Sequence, residues 1–311
     1  MRIGTRGSAL ALAQARLVAQ MVGGAELITI TTAGDRNAAA GDKSRWVLEL
    51  ERALVDGEID LAVHSAKDVP GELADGLTLM GAPPRAAPED VLCVAGRSSD
   101  HLDEPGTPPA GLEGLAPGAR VGTSSVRRAA QLRAVREDLE VVAVGGNVDT
   151  RLRKLGEDGF DALVLARAGL QRLGREAEAA AVLDPARFVP SPGQGTLALE
   201  GRAEDERVGE AVEAITDAKA FACLRAERAV AHALGASCNT PLGALALDYG
   251  CGCLHLRAWV GLPDGSAWVG DELLGGFYDP EQLGRRVAER LLSAGAGELL
   301  RRAEELSVEH A

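Results

Sequence analysis

Val121-Gly122-Thr123-Ser124-Ser125-Val126-Arg127-Arg128-Ala129-Ala130-Gln131-Leu132-Arg133 passes from strand to helix within three hydroxyl residues. A short strand ends near Thr123, and the hydroxyl oxygens that follow suit an N-cap, where they accept the free backbone N–H groups of a first helical turn. Arg127 and Arg128 then fall in or beside that turn. The positive end of the helix dipole disfavours cations there by roughly 0.3–1 kcal/mol each. A rule broken twice beside a natural anion site suggests that a negative group normally sits there. The competing reading is two solvated arginines on an exposed helix face.

The alternation continues outward. Strand 119–123 and helix 126–137 lead to strand 140–144, helix 149–157, strand 161–165 and helix 167–174. Upstream, residues 1–5 read as a strand and Ser8 caps an apolar-periodic helix, Ala9–Val22. Glu26–Thr32 is a strand rich in β-branched residues. Ala33–Ser44 is a Gly/Ala/Asp/Lys-rich loop, a candidate mobile lid. Trp46–Val55 is helical, Ile59–His64 is a buried strand, and Leu77–Gly81 is another. Prolines and glycines thicken from Pro83 to Gly118 around a strand at Asp90–Ala95, so 96–118 reads as a surface loop. Val189–Gly195 is a loop and Thr196–Glu200 a strand. A long helix, 217–235, then precedes strands 242–248, 253–261 and 266–274 and a helical region, 279–307. This order predicts an α/β protein of two units with mostly parallel sheets, followed by a small α+β domain with an antiparallel sheet. No internal repeat stands out.

With 311 residues, 46% hydrophobic and 25% charged, the chain has the composition of a soluble protein of two or three domains. Aromatics are only 3%, so Ala, Leu and Val must fill the interior. No apolar run approaches the ~18 residues of a membrane span. The N-terminus, Met1-Arg2-Ile3-Gly4-Thr5, reads as a strand with no signal core. A cytoplasmic protein is expected, with Cys93, Cys223, Cys238, Cys251 and Cys253 reduced. The formal charge of −13 argues against a nucleic-acid binder, which needs a basic face. Arginines gathered in one cleft can still bind acidic small molecules.

They gather at strand ends, where open α/β sheets bind ligands. Arg6 and Ser8 follow the first strand. Lys67 and Asp68 follow the third, within His64-Ser65-Ala66-Lys67-Asp68-Val69-Pro70. Thr123, Ser124, Ser125, Arg127 and Arg128 follow strand 119–123. Gly145-Gly146-Asn147-Val148-Asp149-Thr150-Arg151 follows strand 140–144, and Arg167 and Arg172 follow strand 161–165. Five such ends predict an interdomain cleft for several carboxylates or phosphates. Asp68 is the informative acid: either a partner of Lys67 or a turn cap, or a carboxylate kept ionised by arginines and suited to stabilising a developing cation. Cys238, in Gly235-Ala236-Ser237-Cys238-Asn239-Thr240-Pro241-Leu242, is more reachable than Cys93 or Cys223, although a free cysteine is commonly just a small packed residue. Cys251-Gly252-Cys253-Leu254-His255 lacks a second ligand pair and reads as a β-turn rather than a metal site. Gly4-Thr5-Arg6-Gly7-Ser8 has no Walker lysine spacing, and no dinucleotide fingerprint follows a strand.

Several of these motifs recur together in one known family. Ile3-Gly4-Thr5-Arg6-Gly7-Ser8-Ala9-Leu10-Ala11-Leu12, the His64–Pro70 and Val121–Arg128 stretches, Gly146-Asn147-Val148-Asp149-Thr150-Arg151-Leu152, Gly193-Gln194-Gly195 and the Cys238 loop resemble, in order and over nearly the whole length, the porphobilinogen deaminase (hydroxymethylbilane synthase) family of tetrapyrrole biosynthesis. The resemblance implies a domain of residues 1–85 with 195–215 and a second of 88–190, both similar in fold to two-lobed periplasmic binding proteins, and a third, 217–311, that carries a cofactor loop. It implies a transferase that joins four porphobilinogen molecules head to tail, releasing ammonia from each, before hydrolysis frees the linear hydroxymethylbilane. It further implies a dipyrromethane cofactor held by a thioether at Cys238. Asp68 matches the catalytic aspartate, holding pyrrole N–H groups and stabilising the charge left when the aminomethyl nitrogen departs. Arg127, Arg128, Arg151, Arg172, Arg6 and Lys67 would pair with acetates and propionates, a task suited to bidentate arginine. Ser8, Thr123, Ser124, Ser125, Asn147 and Gln194 would add donors. The implied partners are porphobilinogen and the growing oligopyrrole, on a monomer with no nucleic acid, membrane or metal. The chain departs from the pattern at Gly145, where many members carry an arginine, and at Gly41-Asp42-Lys43-Ser44-Arg45-Trp46, the end of the lid. The competing class is a two-lobed binding protein for small anions, or a catalytically impaired relative.

Overall fold

The computed structural model describes residues 1–31, 47–96, 111–237 and 239–309. The lid expected at Ala33–Ser44, most of the loop 96–118 and Cys238 lie outside the described residues. The first lobe is built from β1 (Arg2–Thr5), α1 (Ala9–Met21), β2 (Glu26–Thr29), α2 (Leu48–Val55), β3 (Leu61–Ser65) and β4 (Leu77–Gly81). The chain crosses to a second lobe of β5 (Asp90–Val94), β6 (Arg120–Gly122), α3 (Val126–Val135), β7 (Glu140–Val142), α4 (Val148–Glu157), β8 (Ala162–Ala166), α5 (Arg167–Arg172) and β9 (Ala181–Val182). It returns as β10 (Leu197–Arg202) and α6 (Glu206–Glu213). A C-terminal unit follows, made of α7 (Ala218–Ala233), β11 (Leu242–Gly250), β12 (Cys253–Gly261), β13 (Trp268–Gly276), α8 (Pro280–Ser293) and α9 (Ala296–Glu309).

The lobes repeat one topology. Their sheets run β2-β1-β3-β10-β4 and β7-β6-β8-β5-β9. In each, the first three strands are parallel and the fourth is antiparallel to both neighbours. The mostly parallel sheets expected from the alternation are therefore found, with one reversed strand apiece. That strand is always the one entering from the opposite lobe. In sequence the repeat survives only as Gly4-Thr5 before Ser8 and Gly122-Thr123 before Ser125. Ser8 caps α1, accepting from Ala11 N at 3.2 Å, and Ser125 caps α3, accepting from Arg128 N at 3.4 Å.

Each layer closes on small and branched apolar residues. Ile3, Leu61, Val63, Leu197 and Leu199 lie in the first core, and Leu92, Val121, Leu132 and Val164 in the second. In the C-terminal unit, Val230 of α7 and Val287 and Leu291 of α8 cover Leu254 and Leu256 of the antiparallel β11-β12-β13 sheet. The helical region expected at 279–307 is two helices, parted at Gly295.

Residues 82–89 and 183–196 cross between the lobes. They touch at Gly195, which holds φ of 86° and carries no side chain, while Gly193, φ 74°, packs the second crossover against Ala66. A Cβ at Gly193 would lie 2.9 Å from the Ala66 carbonyl carbon, and one at Gly195 would lie 2.4 Å from Ala86 O. Ala86 N instead donates to Gly195 O at 3.1 Å.

Candidate active site

The strand ends of both lobes enclose a cavity with the returning crossover. Gln14, Ser65 and Lys67 line it from the first lobe, Arg128, Arg151 and Arg172 from the second, and Gly193, Gly195 and Thr196 from the crossover. Gln14 Nε2 donates to Ser65 Oγ at 2.8 Å, and Lys67 Nζ reaches Gln194 Oε1 at 3.5 Å. Arg151 Nε donates to Gly146 O at 2.8 Å, and an Arg172 guanidinium nitrogen donates to Gly195 O at 2.6 Å. Neither arginine forms an ion pair among the described residues. Burial pushes both guanidinium groups down to about 10. Arg128 adds to that fall at Arg151, while the Asp68 carboxylate opposes it, so Asp68 of the first lobe acts electrostatically on Arg151 of the second. Thr196 Oγ1 is buried without a hydrogen-bond partner among the described residues. Arg151 and Arg172, half-buried and without acidic partners among the described residues, leave a cavity that favours anions.

The two arginines of the opening stretch are buried, not solvated. Both reach Asp90, the first residue of β5, which is 0% exposed. Arg127 lies 2.8 Å from Asp90 Oδ2 and Arg128 lies 2.7 Å from Oδ1. Gln194 Nε2 donates to the same Oδ1 at 2.9 Å and to Pro88 O at 2.7 Å. Burial raises the Asp90 carboxyl's pKa, but the two guanidinium charges outweigh that and hold it at about 2. Arg127, expected among the cations that meet the ligand, is held by this pair and does not line the cavity. It is 3% exposed, donates to Val189 O at 2.9 Å, and lies over the Phe188 ring at 5.8 Å. Arg128 does line the cavity. Gln194, also expected among the ligand's donors, is fully buried behind the lining and bonds the two crossovers together.

Other expected donors serve the backbone. Asn147 caps α4, its Oδ1 accepting from Thr150 N at 2.9 Å, and Thr123 Oγ1 accepts from Ser125 N at 3.2 Å. Ser8 and Ser125 are the caps described above, whereas Ser124 is exposed. Arg6 is half-buried after β1, and Asp68 is half-buried at the end of the single 3-10 turn Ala66–Asp68. At Gly145 a Cβ would meet open space. Among the described residues no group of three or more His, Cys, Asp or Glu is placed to hold a metal, and no helix is long and apolar enough to cross a membrane.

Asp90, Gln14 and Thr196 lie outside every motif singled out in the sequence, and so does the ion pair that seats the C-terminal unit. Arg85, on the first crossover, lies 2.7 Å from Glu227 of α7, whose side chain is 0% exposed. Glu227 also accepts from Gly193 N at 2.6 Å and from Ala246 N at 2.8 Å. Arg85 donates in turn to Gln194 O at 2.8 Å. One carboxylate thus ties both crossovers to β11.

A family model described as porphobilinogen deaminase, dipyromethane cofactor binding domain, matches residues 1–210. The model for the C-terminal domain of porphobilinogen deaminase matches residues 221–293. Relatives named porphobilinogen deaminase include that of Thermus thermophilus, 41% identical over 304 residues, covering 96% of this chain and 97% of the relative. That of Stenotrophomonas maltophilia is 44% identical over 311 residues, covering 96% and 98%. Among solved structures, the BvgS periplasmic VFT2 domain of Bordetella pertussis aligns at 16% identity over 69% of this chain and 86% of its own, with a TM-score of 0.38. At that distance the strand orders, not the neighbour, carry the description of the fold.

Proposed function

The chain belongs to the porphobilinogen deaminase family, transferases of tetrapyrrole biosynthesis that work with a dipyrromethane cofactor, and on that premise we propose that it condenses four porphobilinogen molecules into hydroxymethylbilane at the cavity between the lobes. The observation that carries this is the pair of half-buried arginines, Arg151 and Arg172, without acidic partners among the described residues and with Asp68 acting across the cleft. A small-anion binding protein would leave both Asp68 and the C-terminal unit without a task.

The donor set suits the cofactor. Its pyrroles carry acetates and propionates, and the cavity offers Lys67, Arg128, Arg151 and Arg172 with the Thr196 hydroxyl, which has no hydrogen-bond partner among the described residues. When bound, the cofactor supplies the pyrrole carbon to which substrate units are added. We assign its covalent attachment to Cys238. Arg151 and Arg172 pair with substrate carboxylates in two-pronged geometry and regain the favourable field that burial removed. Lys67 and Arg128 hold further carboxylates. Asp68, fixed by the 3-10 turn after β3, accepts pyrrole N–H groups and stabilises positive charge as the amine leaves. Its fixed placement means that little reorganisation is needed during the reaction. A cytoplasmic monomer is part of the same proposal.

Intact mass tests the proposal. Protein purified from cells that make porphobilinogen should weigh two pyrrole units more than its 32.2 kDa chain, and Cys238→Ser should remove the increment. An unmodified wild-type chain with full activity would refute the covalent assignment.

A further inference from the structure

The hairpin turn joining β11 to β12 carries chemistry that the condensation does not use. Of the five cysteines, Cys93 and Cys223 are buried, and burial pushes both thiols up to about 12. They hold almost no thiolate at neutral pH. Cys251 and Cys253 are different: the first is exposed, the second half-buried, and their sulfurs lie 3.6 Å apart across Gly252. Cys251 has φ 50° and is the one non-glycine residue with positive φ among the described residues; Gly252 follows with φ 76°. Gly250 and Cys253 pair across the ladder, so these two residues occupy the centre of a turn of the primed type, which favours Asn, Asp or Gly at its first position. A cysteine there has an uncomfortable backbone and an exposed side chain, so packing does not account for it. No metal-binding group forms around the pair among the described residues. What the turn achieves is to bring two thiols side by side at the surface.

We propose that Cys251 and Cys253 form a reversible dithiol–disulfide couple that exchanges with small-molecule disulfides. Cys251, the more exposed, attacks as thiolate one sulfur of the small disulfide. A mixed disulfide forms and one small thiolate leaves. Cys253 then attacks the Cys251 sulfur, closing the intramolecular S–S bond and expelling the second small thiolate. The two cysteine protons end on the two released thiols, and the two electrons lost by the protein reduce the small disulfide. The neighbouring Cys251 sulfur holds the Cys253 thiol above its ordinary value, which agrees with Cys251 attacking first. Closure takes the sulfurs from 3.6 Å to the covalent distance of about 2.05 Å, a movement that the exposed turn can absorb.

The test uses the full-length protein equilibrated with mixtures of reduced and oxidised glutathione, quenched in acid, alkylated, and digested on the N-terminal side of aspartate. The peptide Asp248–Pro263 contains both cysteines and excludes Cys238, so the reading is independent of cofactor loading and of activity. With increasing oxidant the peptide should change, in one two-electron step, from doubly alkylated to unalkylated and two hydrogens lighter than the dithiol. Cys251→Ser and Cys253→Ser should each abolish the lighter form. A peptide that stays doubly alkylated at the most oxidising ratio overturns the proposal, and so does one that collects only glutathione adducts or links two chains.

Discussion

Asp90→Asn changes one charge and almost no volume, and it is expected to destabilise the second lobe by about 3–5 kcal/mol, the cost of breaking a buried ion pair from one side. Asp90 is wholly buried and faces two guanidinium groups at 2.8 and 2.7 Å. Its pKa is held at about 2 against an ordinary 3.8. That depression alone is worth about 2 kcal/mol at about 1.4 kcal/mol per unit. The remainder comes from Arg127 and Arg128, left buried with only carbonyl and amide partners. Because the folded pKa is the lower one, the stabilisation is complete above pH 4 and disappears as pH falls towards 2.

The assay must report on the second lobe itself. Trp259 packs on Ala130 of α3 but belongs to β12 of the C-terminal unit, so its fluorescence would mix the two units. Hydrogen exchange read by mass spectrometry on peptides covering β5 and β8 gives the local opening energy. Wild type should lose about 2 kcal/mol more than Asp90→Asn between pH 4 and pH 2. The double variant Asp90→Asn/Arg127→Met should recover part of the loss, because it removes one of the stranded cations. Parallel pH profiles, or strictly additive effects in the double variant, would refute the reasoning.

Arg172→Gln should raise KM for porphobilinogen on the order of tenfold to a hundredfold, the worth of a charged hydrogen bond, with no loss of thermal stability; an unchanged KM removes Arg172 from substrate binding. Asp68→Asn should lower kcat at least a hundredfold, in the range of a removed electrostatic stabiliser, and leave circular dichroism unaltered; near-normal turnover excludes Asp68 from the mechanism. Glu227→Ala should cost about 3–5 kcal/mol and speed exchange in β11 before the lobes respond, because Arg85, Gly193 N and Ala246 N all lose the same carboxylate; uniform protection would show that the C-terminal unit is seated by its apolar contacts instead.

Local chemistry was readable and long-range pairing was not. Hydroxyl caps, strand ends and the hairpins of the C-terminal sheet depend on neighbours within a few residues, so spacing reveals Ser8, Ser125 and the turn at Cys251. The same strand-end rule places Lys67, Arg128, Arg151 and Arg172 on the cavity. Asp90 lies 37 residues from Arg127 and begins an apolar strand, where an acid resembles an ordinary boundary residue. Glu227, in the middle of an alanine-rich helix, resembles a solvated face. The repeat of the two lobes is hidden in the sequence because their reversed strands, β5 and β10, occur at different points in the chain order, and only the folded sheets align them.

The arginines at the start of α3 therefore sit beside a negative charge after all, but one supplied by the chain itself. The supply is incomplete. Two guanidinium groups face one carboxylate, and the other partners, Val189 O, Val164 O and Gln194 Oε1, are neutral. The buried triad keeps one positive charge in surroundings that screen it weakly, and Arg128 is the member that reaches the cavity wall. Arg127 shares Asp90 with Arg128, so the single carboxylate does not fully neutralise Arg128. Asp90 opens β5 and Gln194 precedes β10, so the reversed strands that link the lobes also deliver the groups that hold this charge in place. A site that must accept additional carboxylates as its product grows benefits from a charge held by the crossovers themselves, since that charge does not depend on how far the cleft is open.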